Sequence, residues 1–414
     1  MHTDEMMTAP PLLAPSTSAD LTEPPAQKPS LHFMSSAILV PPRREEANAR
    51  TSPSSAACAV LAAAAFVASV AAATLRLAPP AVAPPTSSED AALRPAPLVS
   101  RSLPSEVVPP SSLLDPVVDS NLADLDGPPF DPAYETPLYW HVIKAAGTTV
   151  QAVFSGCWDL SLASGVGRGH EDEETLRIMK IPGLTGHYLN VNTASPPGIE
   201  RAAALGLAQS GLADAIVSPR FAPVAALLFE PPFRGRLFAL FRHPIDRAVS
   251  MFYYLQTANW EPSYQETWGD MTLLEYSEHH SEKDWMVHML AGKTRGPATE
   301  EDLEVAKEVL RRKCLVGLVH RMDESVQRFE SYFGWDRRAD PDDKVKSRQR
   351  KRCTENLLHG GANRGQEHPR AEEGSEEWEV LMRANRLDIQ LFEYAEGLFE
   401  EQGRLFEEEE EDAT

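Results

Sequence analysis

Cysteine is scarce in this chain of 414 residues: Cys58, Cys157, Cys314 and Cys353 are the only four, and no two stand in CxxC spacing. That excludes a small disulfide-stapled scaffold and a cysteine-built zinc site. Cys58 falls in an apolar stretch, and Cys314 with Cys353 is the expected pair in an oxidising compartment, leaving Cys157 free. Basic residues are also few. With 39 Lys and Arg against 61 Asp and Glu, the net charge is −22, so the chain lacks the basic excess that a general nucleic-acid binder needs. No N-x-[ST] glycosylation sequon occurs anywhere.

Aromatic residues are thin in the front third, where proline is dense instead: 21 of the 35 prolines precede residue 130. Such a segment buries too little apolar surface to offset its ordering entropy and is expected to be disordered. Within it, Thr51 to Leu75 carries no charge, and Ser55 to Leu75 reads SAACAVLAAAAFVASVAAATL. About 20 apolar residues span a bilayer as a helix, so a membrane span is expected over 51–77. Arg43, Arg44 and Arg50 before it, against Arg76 and Arg94 after it, favour a cytoplasmic N-terminus. The layout expected is a disordered cytoplasmic tail (1–50), a signal-anchor helix (51–77), a Pro-rich stem (78–130), a folded domain (131–406) and an acidic tail (407–414). The acidic run from Glu400 to Asp412 reads as a solvated end. The one basic island, Lys344 to Arg352, reads equally as a solvated loop or as a surface for an anionic substrate.

From Asp131 on, apolar runs alternate with helical patterns. Strands are expected at Leu138–Ile143, Ala215–Ser218, Arg236–Phe241 and Leu315–Val319. Helices are expected at Thr149–Phe154, Asp246–Gln256, Glu300–Arg312, Asp323–Tyr332 and Glu376–Phe399. This alternation predicts an α/β fold: three layers around a central, mostly parallel sheet. Ligands of such sheets bind at the carboxyl ends of strands.

Two segments stand just there. In HVIKAAGTT (His141–Thr149) a strand runs into Lys144, a small-residue turn and the start of a helix. Small residues let backbone approach an anion, the helix start offers unpaired N–H groups, and Lys144 adds charge. In FRHPIDRAVSMFYY (Phe241–Tyr254) a strand ends at Arg242, and Pro244 suits the first turn of a helix that carries Ser250. One guanidinium and one hydroxyl there can share a phosphate. Asp246 and Arg247 read as helix-surface charges. Gly292-Lys293-Thr294 is not a Walker A loop, because Val287 stands where the first glycine must be. Gly165 to Gly169 fails as a dinucleotide fingerprint, with His170 at the third glycine position and no strand before it. His279, His280 and His288 read as surface, without a carboxylate pattern to complete a metal site.

The two segments together resemble the signature elements of PAPS-dependent sulfotransferases (PAPS is 3′-phosphoadenosine 5′-phosphosulfate), closest to the Golgi carbohydrate, heparan/chondroitin-type enzymes. LVGLVHRMDESV (Leu315–Val326) and NRLDIQLFEYA (Asn385–Ala395) also look familial, so the resemblance covers roughly Tyr139 to Phe399. It implies a P-loop-like sulfotransferase fold and O-sulfation of a glycan or polysaccharide by a type II Golgi membrane protein with a lumenal catalytic domain. No metal is implied. Lys144, Ala146, Gly147, Thr148 and Thr149 would hold the 5′-phosphosulfate; Arg242 and Ser250, eight positions apart, would hold the 3′-phosphate. Lys144 would also stabilise the leaving oxygen, and His187 in LTGHYL (Leu184–Leu189) would be the base. The first element departs from the family's usual HIPKTGGTS: Ile143, Ala145 and Ala146 replace Pro, Thr and Gly. That leaves a catalytically decayed PAP-binding lumenal protein as the alternative (PAP is the desulfated donor), with a P-loop-type nucleotide kinase behind it.

Overall fold

The computed structural model describes residues 113–259, 264–338, 344–360 and 368–406. The expected cytoplasmic tail, membrane span, acidic tail and most of the stem lie outside these residues. No described helix is long and apolar enough to cross a membrane.

Seven strands form one sheet: β1 (Glu135–Trp140), β2 (Ser161–Ala163), β3 (Ile178–Met179), β4 (His187–Leu189), β5 (Ala215–Ser218), β6 (Arg234–Phe241) and β7 (Cys314–Leu318). Their order is β3-β4-β2-β5-β1-β6-β7, and every neighbouring pair is parallel except β3 with β4. The central strands are buried along nearly their whole length, as near-continuous apolar runs dictate when both faces are covered.

Alternation of side chains sorts the core into two layers. Leu138, Trp140, Leu237, Ala239 and Phe241 point into one cluster, while Tyr139, Phe238 and Leu240 point into the other. The first face is covered by α3 (Pro196–Ala204), α4 (Phe221–Leu227), α7 (Trp285–Leu290), α8 (Glu300–Lys313) and α12 (Arg386–Glu401). The second is covered by α2 (Gly147–Ala152) and α9 (Met322–Tyr332), with Leu357 and Leu358 of α10 (Lys344–Gly360) packed against it. Three layers, α/β/α, are the architecture that the sequence pattern predicts. The second β-strand from the amino terminus that pairs with β1 is β6, so the carboxyl ends of the two signature strands are adjacent.

Three local expectations need correction. Residues 113–130, assigned to the stem by composition, are part of the fold. Here α1 (Pro116–Asn121) and the chain after it pack on the sheet: Leu114, Val118 and Leu122 are buried, and Ala123 donates to the Gly235 carbonyl at 2.9 Å. Two buried cations secure this segment. Arg236 pairs with Glu135 at 2.7 Å and donates to the carbonyls of Asp124 and Pro128, and Lys313 donates to those of Asp119 and Leu122. The helix expected over Glu376–Phe399 is instead two, α11 (Glu376–Ala384) and α12, broken at Asn385. The disulfide joins Cys157 to Cys353, with Cα atoms 5.6 Å apart, and Cys314 is the buried free thiol. Cys314 opens β7 and is buried in the core.

Candidate functional site

The chain leaves β1 at Trp140 and turns into α2 through a backbone with two left-handed residues, Lys144 (φ 67°) and Ala146 (φ 57°). A left-handed conformation at a residue with a β-carbon is strained, and such strain gathers at ligand sites. Ala146 starts the helix: its carbonyl accepts from the N–H of Thr149 at 3.0 Å and of Val150 at 3.2 Å. The N–H groups of Gly147 and Thr148 precede the first intrahelical bonds, so they are free of the helix ladder. Beyond Ala152 the helix runs on without a break into a wider turn, Val153–Cys157.

His141, passed over in the sequence, forms the floor of this turn. A β-carbon added at Gly147 would stand 2.1 Å from the His141 Cδ2, so the turn closes over the imidazole only because residue 147 is glycine. The ring stacks on Tyr139 at 6.1 Å, and the backbone N–H donates to the Ser218 carbonyl at 2.8 Å. Burial, with the Lys144 charge as a smaller cause, pushes its pKa down to about 4. The imidazole is therefore neutral at physiological pH. The only signal in the sequence is a histidine inside the apolar run Leu138–Ile143, and nothing there says which way its ring points.

Arg242 directly follows β6 and precedes α5 (Pro244–Leu255). Its Nη1 donates to the Lys144 carbonyl at 3.1 Å, and the Lys144 Nζ in turn lies 4.0 Å from the centroid of the Tyr254 ring on α5. Two contacts thus stitch the first signature segment to the second, across the carboxyl ends of neighbouring strands. Burial lowers the Arg242 pKa, against the Asp246 charge that raises it, with Arg370 adding a second positive charge nearby. Ser250 is nearly buried on the same helix. Tyr254, in the quoted motif but given no role there, is the residue that meets the Lys144 ammonium.

Arg247 is not the surface charge that the sequence suggested. It is buried, pairs with Glu282 at 3.0 Å and lies over the Trp285 ring at 4.9 Å. Nearly the whole circumference of α5 is buried, Arg247 along with Ile245, Val249 and Phe252, and that explains the difference.

His187 is not brought to this edge. It opens β4, where Ser161↔His187, Leu162↔Ala215 and Leu138↔Ile216 set its level to that of Thr136. That is the amino-terminal part of β1, about 13 Å along the strand direction from Trp140, with β2 and β5 in between. Its Nδ1 lies 3.0 Å from an Asp159 carboxylate oxygen.

The other motif fragments are committed elsewhere. Lys293 pairs with Asp302 at 2.5 Å, and Gly167 sits in a single tight turn against the Leu189 and Val191 carbonyls. The basic island is helix rather than loop: it forms the first half of α10. A cavity of about 600 Å³ between α7 and α11, lined by Lys283, His288 and Arg383 among others, shares no lining residue with the Lys144 turn.

No protein-family model matches the chain, and comparison with curated proteins finds no match.

Proposed function

We propose that the chain is a sulfotransferase that moves a sulfuryl group from PAPS to a hydroxyl of an acceptor, in the first instance a polysaccharide. The observation that carries the reading is the hydrogen bond from Arg242 to the Lys144 carbonyl, because it joins the anion-binding turn and the second cationic segment into one site. PAPS supplies an activated sulfuryl group bound to a good leaving phosphate. The N–H groups of Gly147 and Thr148, with the Thr148 and Thr149 hydroxyls, are suited to hold the 5′-phosphate, and the glycine over His141 leaves backbone open to it. Lys144 holds charge at the bridging oxygen. Arg242 and Ser250 hold the 3′-phosphate. Loose transfer of this kind runs on positioning and electrostatics, which is what this set provides. No acceptor base is assigned, since the register leaves His187 away from the turn.

The Cys157–Cys353 link suits an oxidising compartment and so supports a lumenal domain. Golgi residence and a single anchor over 51–77 belong to the same proposal. A second reading, donor binding without turnover, is favoured by one feature: Ala146 holds a left-handed backbone where the resembled family has glycine.

Calorimetry of PAP binding to the full chain tests the site. Lys144→Ala and Arg242→Ala are each expected to weaken binding about 10–100-fold, the worth of a charge-assisted contact. His187→Ala is expected to leave both affinity and transfer close to wild type. Wild-type affinity in the Arg242 variant would overturn the site. Labelled-PAPS transfer to a panel of glycans then separates an enzyme from a binder.

A further inference from the structure

Helix α10 contains six cations between Lys344 and Arg352 and no acid among them, in a chain of net charge −22. Only one of the six, Arg350, is turned inward: it pairs with Glu330 at 2.7 Å and lies over the Trp158 ring at 5.2 Å. Lys344, Arg348 and Lys351 are three, four or seven positions from one another, and Arg352, four from Arg348, lies beside them, so the four exposed cations share one outer side of the helix, and they make no ion pair among the described residues. Like charges at this spacing destabilise a helix. The stripe therefore exists at a cost to the helix that carries it.

Its other residues hold the helix firmly. Cys353 is bonded to Cys157, the Trp158 indole donates to the Thr354 hydroxyl at 3.2 Å, and Leu357 and Leu358 pack on the core. Cys157 ends the turn that continues from α2, so the stripe is cross-linked to the same segment that begins at the Lys144 turn.

We infer that the outer stripe of α10 is a docking surface for a polyanionic polysaccharide, which, resting on the function proposed above, makes the acceptor an acidic glycan held at a fixed offset from the donor turn. Charge complementarity and continuity with the candidate site argue for this occupant. A membrane surface fits less well: a helix that lies on lipid needs an outward apolar face, and the leucines of α10 point inward.

The test is affinity of the full chain for a heparin dodecasaccharide at several salt concentrations, without donor. The quadruple variant Lys344→Ala/Arg348→Ala/Lys351→Ala/Arg352→Ala is expected to bind about 10–100-fold more weakly and with a shallower salt dependence. Lys307→Ala/Arg311→Ala, cations paired within α8, is expected to bind as wild type. If the quadruple variant does not fold, the single charge reversal Arg348→Glu reads the same loss at smaller size. Unchanged affinity in these stripe variants overturns the inference, as does equal binding to a neutral dextran or tighter binding to phosphatidylserine vesicles. PAP affinity of the stripe variants is expected to stay at the wild-type value. Loss of heparin binding with PAP binding intact supports the docking surface even if transfer is never seen.

Discussion

Ala146 and Gly147 sit side by side under opposite demands. Ala146 carries a β-carbon into left-handed backbone, whereas Gly147 has none because the His141 ring occupies that space. Ala146→Gly removes a steric penalty of about 1–2 kcal/mol and gives back part of it as unfolded-state entropy. The net expected gain is roughly 0.5–1 kcal/mol in chemical denaturation, with PAP affinity equal or tighter. A loss of stability would mean that the turn is not strained. Gly147→Ala is the opposite case. The new methyl group would meet the imidazole at 2.1 Å, so the ring or the turn must move, and PAP affinity is expected to fall well below wild type even where the fold survives. Neither effect was legible in the sequence. A departure from a motif shows that a residue has changed, but the sign of φ and the direction of a ring come only from the folded chain.

At the level of elements, the long apolar strands were legible and the short polar ones were not. Ala215–Ser218 was read to the residue, and β1, β6 and β7 to within a few, because their burial on both faces writes a continuous apolar run. The strands β2, β3 and β4 have two or three residues each, with Ser161 and His187 among them, too little to form a pattern. Missing them had a consequence. Without the register of β4, His187 looked like a base between two signature elements, when it lies at the amino-terminal level of the sheet. The stem boundary failed for a related reason: prolines around Leu114 and Val118 hid a short amphipathic helix whose partners, Arg236 and Lys313, are far along the chain. Cysteine pairing is not written in spacing at all. Non-reducing peptide mapping is expected to return Cys157 linked to Cys353 and Cys314 as a thiol. The bond closes a loop of 196 residues, so Cys157→Ser with Cys353→Ser is expected to cost about 3–5 kcal/mol, read by urea denaturation. Since the same bond ties α10 to the turn after α2, reduction should also loosen the basic helix before it unfolds the sheet.

Across the whole molecule, two buried groups, one on α12 and one in the turn after β1, make stability respond to pH in opposite senses. Asp388 and Asp284 cap each other's helices. Asp388 accepts from the N–H of Met286 and Val287 at the start of α7, and Asp284 accepts from those of Leu387 and Asp388 at the start of α12. Burial, opposed by the Arg247 charge and the two N–H donors, raises the Asp388 pKa to about 6 from an ordinary 3.8. The folded state then holds this proton more tightly than the unfolded one, so its contribution grows as pH falls through 6 toward 4 and is lost as pH rises. His141 runs the other way: with a pKa near 4 against an ordinary 6.5, the folded state resists the proton, and stability is lost as pH falls through the same window. In wild type the two slopes offset each other between pH 4 and 6. Asp388→Asn removes one of them and leaves His141 in place. The variant is therefore expected to lose stability toward acid more steeply than wild type, and the gap between the two proteins to be about 2 kcal/mol wider at pH 4.5 than at pH 7.5. Urea denaturation of both at the two pH values measures it, and a gap that does not change with pH would show that Asp388 is ionised throughout and that its two helix caps are charged ones.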